Sequence, residues 1–194
     1  MTFKSISIGL VPIGEIPNIT CKSIAAHILG YYNLDADILL PLEKPAYAFD
    51  TKRLQYNAGL IIAAIEDKPY DGYDKIVCVL DVDLFVPIMS YVFGEARQSG
   101  KCALVSTYRL KKNADGSSSP LSLQLERAGK VAIHELGHLF DLHHCMDEQC
   151  IMHFSGGLQA LDEAYLNHCR YCSLYLRDAL RKHHGVKGKA PEIS

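Results

Sequence analysis

The chain has 194 residues, a length typical of one domain, or of one domain with a small appended subdomain. Its 48% hydrophobic and 22% charged residues are typical of a globular protein and exclude a disordered chain. The net charge of −2 argues against a nucleic-acid-binding protein, whose affinity depends on a basic surface that neutralises phosphates.

The N-terminus shows no secretion signal, because Met1 to Lys4 leads into alternating apolar and polar residues, a strand pattern. No apolar run approaches the roughly 20 residues needed to cross a bilayer as a helix. We therefore expect a soluble, cytoplasmic protein without a membrane partner and without an inhibitory pro-segment. In a reducing compartment, the seven cysteines are expected to be metal ligands or buried apolar groups rather than disulfides.

Short apolar β-type runs alternate with helical stretches in the first half of the chain, which favours an α/β sheet with mostly parallel strands. Residues 84–93 are apolar but interrupted by Pro87 and followed by Gly94, a pattern typical of an edge strand or an irregular loop. The predicted strands are residues 6–11, 36–40, 75–80 and 103–108, and the predicted helices are residues 19–31 and 54–65.

The second half begins with residues 111–120, a polar, turn-rich stretch that predicts an exposed and mobile loop. Ser119 is a suitable N-cap and Pro120 a suitable first helical residue, so we expect a helix from there to about Leu142. Residues 158–182 predict a second long helix, broken near a CxxC motif and followed by a basic tail.

The helix predicted from Pro120 to about Leu142 carries His134-Glu135-Leu136-Gly137-His138, the HExxH pattern, on its last turns. Residues four apart lie almost above one another on one helix face, so His134 and His138 can bind one metal ion. Glu135 lies about 100° round the helix from His134, near enough to contact a water molecule at the metal without taking a coordination position. Glu135 is therefore a candidate general base. The alternative interpretation is an amphipathic helix with incidental surface histidines.

A third ligand is expected from His144, six residues beyond His138, as in the extended pattern HExxHxxGxxH. Three protein ligands and one open position are the arrangement of catalytic zinc. Asp141 stands where that pattern has glycine. The turn there needs a left-handed backbone, which Asp adopts more readily than most residues. His143 is a competing third ligand if the turn differs from that pattern.

Four cysteines and a methionine follow in a distinctive order: Cys145, Cys150, Met152, and then Cys169 and Cys172 as CxxC. With the histidine motif, this order resembles the archaemetzincins, in which HExxHxxGxxHC is followed by CxM and a distal CxxC. The resemblance covers residues 134–172 closely. The first half resembles that family only in its order of strands and helices.

The resemblance implies an α/β (α+β) metzincin-like fold: a mixed, mostly parallel twisted sheet with an antiparallel edge strand, an active-site helix, a Met-turn and a small C-terminal helical subdomain. Residues 1–138 would form the N-terminal subdomain and residues 139–194 the C-terminal one. Met152 would lie beneath the three histidines without binding the metal. Phe154 stands where the similar Met-turn of astacins carries a tyrosine, so that hydroxyl is absent.

The resemblance also implies that Cys145, Cys150, Cys169 and Cys172 hold a second, structural zinc. Four thiolates with no open position are typical of structural zinc, whose binding contributes directly to folding. Two disulfides or free buried thiols are the alternative interpretation.

The function implied is that of a zinc-dependent metallopeptidase with two Zn²⁺ per chain, one catalytic and one structural. Glu135 would be the general base for hydrolysis of a peptide or protein substrate, which would lie extended along the edge strand near Tyr91 to Gly94. We expect a monomer that binds no nucleic acid. Two rival functions stay open: a non-catalytic zinc protein that binds a ligand, and a zinc-finger-like interaction module that uses the basic tail from Arg181 to His184.

Overall fold

The computed structural model describes residues 6–154 and 156–183. The strands are β1 (Ile8–Ile13), β2 (Ala36–Ile38), β3 (Phe49–Asp50), β4 (Gln55–Asn57), β5 (Lys75–Leu80), β6 (Leu84–Phe85), β7 (Gly94–Ala96) and β8 (Cys102–Ser106). The helices are α1 (Asn18–Tyr32), α2 (Ala58–Glu66), α3 (Leu121–Leu139), α4 (Leu158–Glu163) and α5 (Arg170–His183). Short 3-10 helices lie at Ala46–Ala48 and Arg109–Lys111.

The main sheet has the strand order β2-β1-β5-β8-β7, in which every pair is parallel except β7–β8. A smaller sheet has the order β3-β4-β6. The mixed, mostly parallel sheet with an antiparallel edge strand confirms the predicted fold class, and β7 is that edge strand.

The apolar runs of the central strands arise because both faces of the sheet are covered. On β5, Val77 and Val79 pack in the cluster that includes α1 and α3, whereas Ile76, Cys78 and Leu80 pack in the cluster that includes α2. Successive strand residues point to opposite faces, so a strand with helices on both sides is apolar throughout. Helix α3 therefore lies on one face of the sheet beside the β7 edge.

The predicted elements of the first half are confirmed with small shifts at their ends. Strand 103–108 is Cys102–Ser106, and helix 54–65 begins later, at Ala58. The three residues before it form β4, and the side chain of Asn57 caps the helix by accepting the Leu60 N–H at 3.2 Å.

The predicted capping of the active-site helix is wrong. Helix α3 begins at Leu121 with Pro120 as its N-cap, and the Ser119 hydroxyl donates instead to the Leu110 carbonyl at 3.0 Å. The predicted end near Leu142 is also wrong, because the helix ends at Leu139.

The helix predicted at residues 158–182 with a break near the CxxC motif is two helices, α4 and α5, because the backbone becomes extended at Ala164. The break therefore lies just before the CxxC motif. Of the predicted basic tail from Arg181 to His184, Arg181 to His183 are the last residues of α5, and His184 lies outside the described residues, as does the segment Met1 to Lys4. The division into subdomains at residue 138 stays a prediction.

None of the helices in residues 6–154 and 156–183 combines the length and apolar character needed to cross a bilayer.

Candidate metal centres and cleft

Three imidazoles converge where α3 ends. The Nε2 atoms of His134 and His138 are 3.1 Å apart, and the ring of His144 lies 5.3 and 4.8 Å from theirs. Ligand atoms of the three histidines all lie within 4.8 Å of one another. A tetrahedral zinc ion with Zn–N distances of about 2.0–2.1 Å separates its ligand nitrogens by about 3.3 Å. The donor set and its spacing therefore fit zinc.

Backbone carbonyls fix two of these rings. His134 Nδ1 donates to the Ile151 carbonyl at 2.7 Å, and His138 Nδ1 donates to the Leu142 carbonyl at 2.7 Å. A hydrogen bond at Nδ1 selects the tautomer in which the Nε2 lone pair is available to a metal. Both rings are therefore held ready to coordinate through Nε2.

Desolvation also favours the neutral form of these imidazoles. It lowers the pKa of His134 to about 3, an effect to which the neighbouring His138 adds. Burial likewise lowers the pKa of His138 and of His144. Since only the neutral imidazole binds a metal ion, proton competition for this site is weak.

The turn after α3 brings His144 back toward the helix. Asp141 has φ +68°, the left-handed conformation expected from the sequence, and the Leu142 N–H donates to the Gly137 carbonyl at 3.0 Å. Both His143 and His144 are exposed and line the cleft, but only His144 joins the cluster of potential ligands. The structure thus brings together the three histidines of the HExxHxxGxxH spacing.

Glu135 lies against the edge strand. It is 7% exposed, and a Cβ atom added to Gly94 would lie 2.7 Å from both its Cγ and its Oε1. Burial raises the pKa of Glu135 well above its ordinary value, and the nearby Glu95 carboxylate raises it further. Residue 94 must therefore be glycine for this carboxylate to keep its position, a long-range requirement that the sequence analysis missed.

Met152 packs directly beneath the histidine motif. A Cβ atom added to Gly137 would lie 2.5 Å from the Met152 Sδ, so the absence of a side chain at residue 137 makes room for the methionine. The Met152 carbonyl accepts the Cys145 N–H at 2.8 Å, which ties this turn to the residue after His144. A glycine inside a helix is itself a sequence signal of such a close approach.

Gly137→Ala is therefore expected to lower the free energy of unfolding by about 1–3 kcal/mol, because the added methyl group overpacks a filled space. Denaturant unfolding measures the change. Gly30→Ala is the matched control: Gly30 also lies in a helix, but its added Cβ meets nothing within 4 Å. That control should gain about 0.5–1 kcal/mol from helix propensity. A loss of equal size in both variants would contradict the packing argument.

The four predicted cysteine ligands form a second cluster, whose Sγ atoms lie within 4.8 Å of one another. The Sγ atoms of Cys145 and Cys169 are 3.7 Å apart, against about 3.8 Å for the edge of a tetrahedron with Zn–S of about 2.3 Å. The Cys169 N–H donates to Cys150 Sγ at 3.2 Å, and the Cys172 N–H donates to Cys169 Sγ at 3.5 Å. Such N–H groups stabilise thiolates, so this donor set also fits zinc.

None of the seven cysteines, all of which the structure describes, is in a disulfide. The structure therefore does not support the alternative in which the four clustered cysteines form two disulfides. Cys21, Cys78 and Cys102 are buried in the apolar clusters on the two faces of the sheet, as expected for packed thiols.

A cleft of about 340 Å³ separates the β7 edge from the histidine cluster. Tyr91 and Phe93 line the strand side, with their rings 5.5 Å apart, and Phe154 lines the opposite side with its ring 5.4 Å from that of His144. The predicted substrate edge near Tyr91 to Gly94 therefore does face the three histidines.

Two buried cations support the floor of the cleft. Arg127 is 2% exposed and forms two hydrogen bonds of 2.7 Å with the Asp162 carboxylate. Lys130 is 3% exposed and donates to the Leu161 and Asp162 carbonyls at 3.1 and 3.0 Å. These bonds hold α4 against α3. The sequence analysis missed them; the only signal was a lysine four residues before His134, on the same helix face.

Comparison with known proteins gives consistent matches over most of the chain. The sequence profile of Peptidase family M54 matches residues 24–178. An archaemetzincin of Haloquadratum walsbyi is 33% identical over 172 residues, which cover 87% of this chain and 98% of that protein. An archaemetzincin of Pyrococcus furiosus is 32% identical over 187 residues, which cover 93% of this chain and 96% of that protein.

Solved structures agree with these sequence matches. The crystal structure of an archaemetzincin from Methanopyrus kandleri is similar at a TM-score of 0.81 and 31% identity, covering 91% of this chain and 96% of that one. That of a zinc-dependent peptidase from Methanocorpusculum labreanum is similar at a TM-score of 0.79 and 26% identity, covering 87% and 99%. Because the family profile and the relatives both span most of the sequence, this chain belongs to Peptidase family M54, the archaemetzincins, and is a zinc metallopeptidase.

Proposed function

We propose that this metallopeptidase hydrolyses peptide bonds in the cleft between β7 and α3, with His134, His138 and His144 as the ligands of a catalytic zinc and Glu135 as the general base. The observation that carries the proposal is the convergence of three imidazoles beside one buried carboxylate. Three ligands leave a coordination position for water or substrate, the arrangement of catalytic zinc.

Zinc, when bound, supplies a Lewis acid that acidifies a water molecule and polarises the scissile carbonyl. Glu135 accepts the proton of the attacking water and then passes it to the leaving amine, so that one carboxylate serves first as base and then as acid. Gly94 keeps this carboxylate in place by leaving its space free. No serine or cysteine nucleophile takes part.

The substrate in this proposal is a peptide or protein segment that lies extended along β7. This strand ends the sheet order and pairs with β8, so its outer edge has no strand partner among the described residues. Such an edge offers backbone groups to an extended peptide, while alternate side chains of the peptide point into the cleft. Tyr91 and Phe154 give this cleft apolar walls.

Cys145, Cys150, Cys169 and Cys172 are proposed to hold a second, structural zinc, which gives two ions per chain. The 3.7 Å separation of two of their Sγ atoms and the N–H groups aimed at the sulfurs support this assignment. We further propose a monomer that acts in the cytoplasm without nucleic acid. The seven reduced cysteines support that compartment.

Zinc content and peptide hydrolysis test the proposal together. Purified wild-type protein is expected to hold about two zinc ions per chain by inductively coupled plasma mass spectrometry. His138→Ala should hold about one and lose hydrolysis of a peptide library. His143→Ala is the matched control, because it removes the neighbouring exposed histidine, and it should keep both ions.

Each other outcome identifies a different error. A wild-type protein with only one zinc ion, bound at the cysteine site, would overturn the catalytic proposal. Two ions without cleavage of any library peptide would favour a non-catalytic zinc protein. Loss of an ion in His143→Ala would show that His143, and not His144, is the third ligand.

A further inference from the structure

Asp141 forms contacts that the glycine of the HExxHxxGxxH pattern would not provide. Its Oδ1 atom accepts from the Ser99 hydroxyl at 2.6 Å and from Gln98 Nε2 at 3.1 Å. The Ser99 backbone N–H donates to the His138 carbonyl at 2.9 Å. We call Gln98, Ser99 and Asp141 the Asp141 clamp. It joins the connection between β7 and β8 to the end of α3.

The clamp also contacts the Leu142 carbonyl, which orients the proposed metal ligand His138. Gln98 Nε2 donates to the Leu142 carbonyl at 3.2 Å, and the same carbonyl accepts His138 Nδ1 at 2.7 Å. Leu142 lies two residues before His144. The clamp thus acts on the orientation of one imidazole and on the turn that presents another.

The backbone shows that this arrangement has a cost. Asp141 and Ser99 have φ +68° and +56°, two of the four left-handed non-glycine residues described. A left-handed conformation is unfavourable for residues with a Cβ atom, and glycine would adopt it freely. Two such residues joined by a side-chain hydrogen bond at a functional turn indicate that the carboxylate has a role beyond chain reversal.

We propose that Asp141 is a positioning residue, which holds the turn of His144 and the ring of His138 in fixed relation to the substrate edge β7. This inference rests on the proposed function. Strand β7 leads directly into Gln98 and Ser99, so the strand that binds substrate and the turn that binds metal are joined through one carboxylate. A partner of a metal ligand typically changes metal affinity or activity by 10–100-fold.

Two variants at this position and one control at another separate a positioning role from a role in chain reversal. Asp141→Gly keeps the left-handed turn and removes both side-chain bonds. Asp141→Asn also tolerates this conformation and keeps both bonds, because they share one oxygen, which an amide oxygen can replace. Asp115→Gly is the matched control: Asp115 also accepts a serine hydroxyl at 2.6 Å, but in the exposed turn before α3.

For Asp141→Gly we expect kcat to fall about tenfold while KM changes less than about twofold, and catalytic-site zinc affinity to fall about tenfold. The absorption spectrum of the cobalt-substituted protein gives a measurement that a loss of stability alone would not change. The d–d bands of the histidine site should change, while the thiolate charge-transfer bands of the cysteine site stay the same. Asp141→Asn should restore kcat, affinity and spectrum, and Asp115→Gly should match the wild type.

Wild-type kcat and zinc affinity in Asp141→Gly would overturn the inference, as would an Asp141→Asn variant as impaired as Asp141→Gly. If Asp141→Gly fails to fold, the double variant Gln98→Met, Ser99→Ala removes both bonds to the Asp141 carboxylate from the other side, and the Gln98 bond to the Leu142 carbonyl with them, so it should show at least the same losses. Failure of the proposed function is distinguishable, because the wild type would then lack the histidine-site cobalt bands or all hydrolysis.

Discussion

Glu135→Gln is expected to lower kcat for peptide hydrolysis by about 10³-fold or more while the zinc content stays at that of the wild type. Glutamine fills the same buried space beside Gly94, but an amide cannot accept the proton of the attacking water. The three imidazoles and their hydrogen bonds are unchanged, so the metal should stay bound. Steady-state kinetics on a cleaved peptide and metal analysis of the same preparation measure both quantities.

Glu95→Gln is the matched control for this variant, because it removes the neighbouring carboxylate that also lines the cleft. Its side chain is not assigned a proton transfer, so its effect on kcat should be less than about tenfold. If Glu135→Gln kept wild-type turnover, or if the two variants lost equal activity, Glu135 would not be the general base.

Cys169→Ser is expected to produce the largest loss of stability. Structural zinc contributes about 10–16 kcal/mol in zinc-finger peptides, so removal of one thiolate should lower the free energy of unfolding by at least about 3 kcal/mol. The zinc content should fall toward one ion per chain. The physical reason is that Cys169 and Cys172, as ligands of the proposed zinc, would tether the start of α5 to the turn after His144, and that Cys172 is buried in the main apolar cluster. Thermal unfolding and metal analysis measure these changes.

A chelator separates zinc binding from ordinary packing in this experiment. It should lower the Tm of the wild type strongly and that of Cys169→Ser little, because the variant has already lost the ion. Cys21→Ala is the matched control, since it removes a buried thiol from the same apolar cluster, and its zinc content should not change. A Cys169→Ser protein with wild-type Tm and two ions would exclude a structural zinc at these cysteines.

Local patterns and the resemblance to the archaemetzincins together predicted most of the fold and the members of both clusters. The β-branched run of β5 predicted a central strand, because burial on both faces requires apolar residues throughout. The four-residue spacing of His134 and His138 determines their common helix face whatever the surrounding fold. The left-handed conformation of Asp141 was likewise expected, because few residue types adopt it.

Contacts between residues distant in sequence could not be predicted. Ser119 has the residue type of an N-cap, but its hydroxyl bonds to Leu110, a partner that becomes available only after the chain folds. Glu135 contacts Gly94, although forty residues separate them in the sequence, and the residue types in the two segments do not predict this contact. The break between α4 and α5 was placed only approximately, since helical periodicity continues on both sides of it.

The two metal clusters are neighbours along the backbone as well as in space. His144 belongs to one and Cys145 to the other, so a single peptide bond joins them. Whatever holds the sulfur of Cys145 also restricts where the preceding imidazole can go. In the proposed two-zinc protein, an ion bound to the thiolates would therefore also limit the positions open to the third imidazole of the hydrolytic centre.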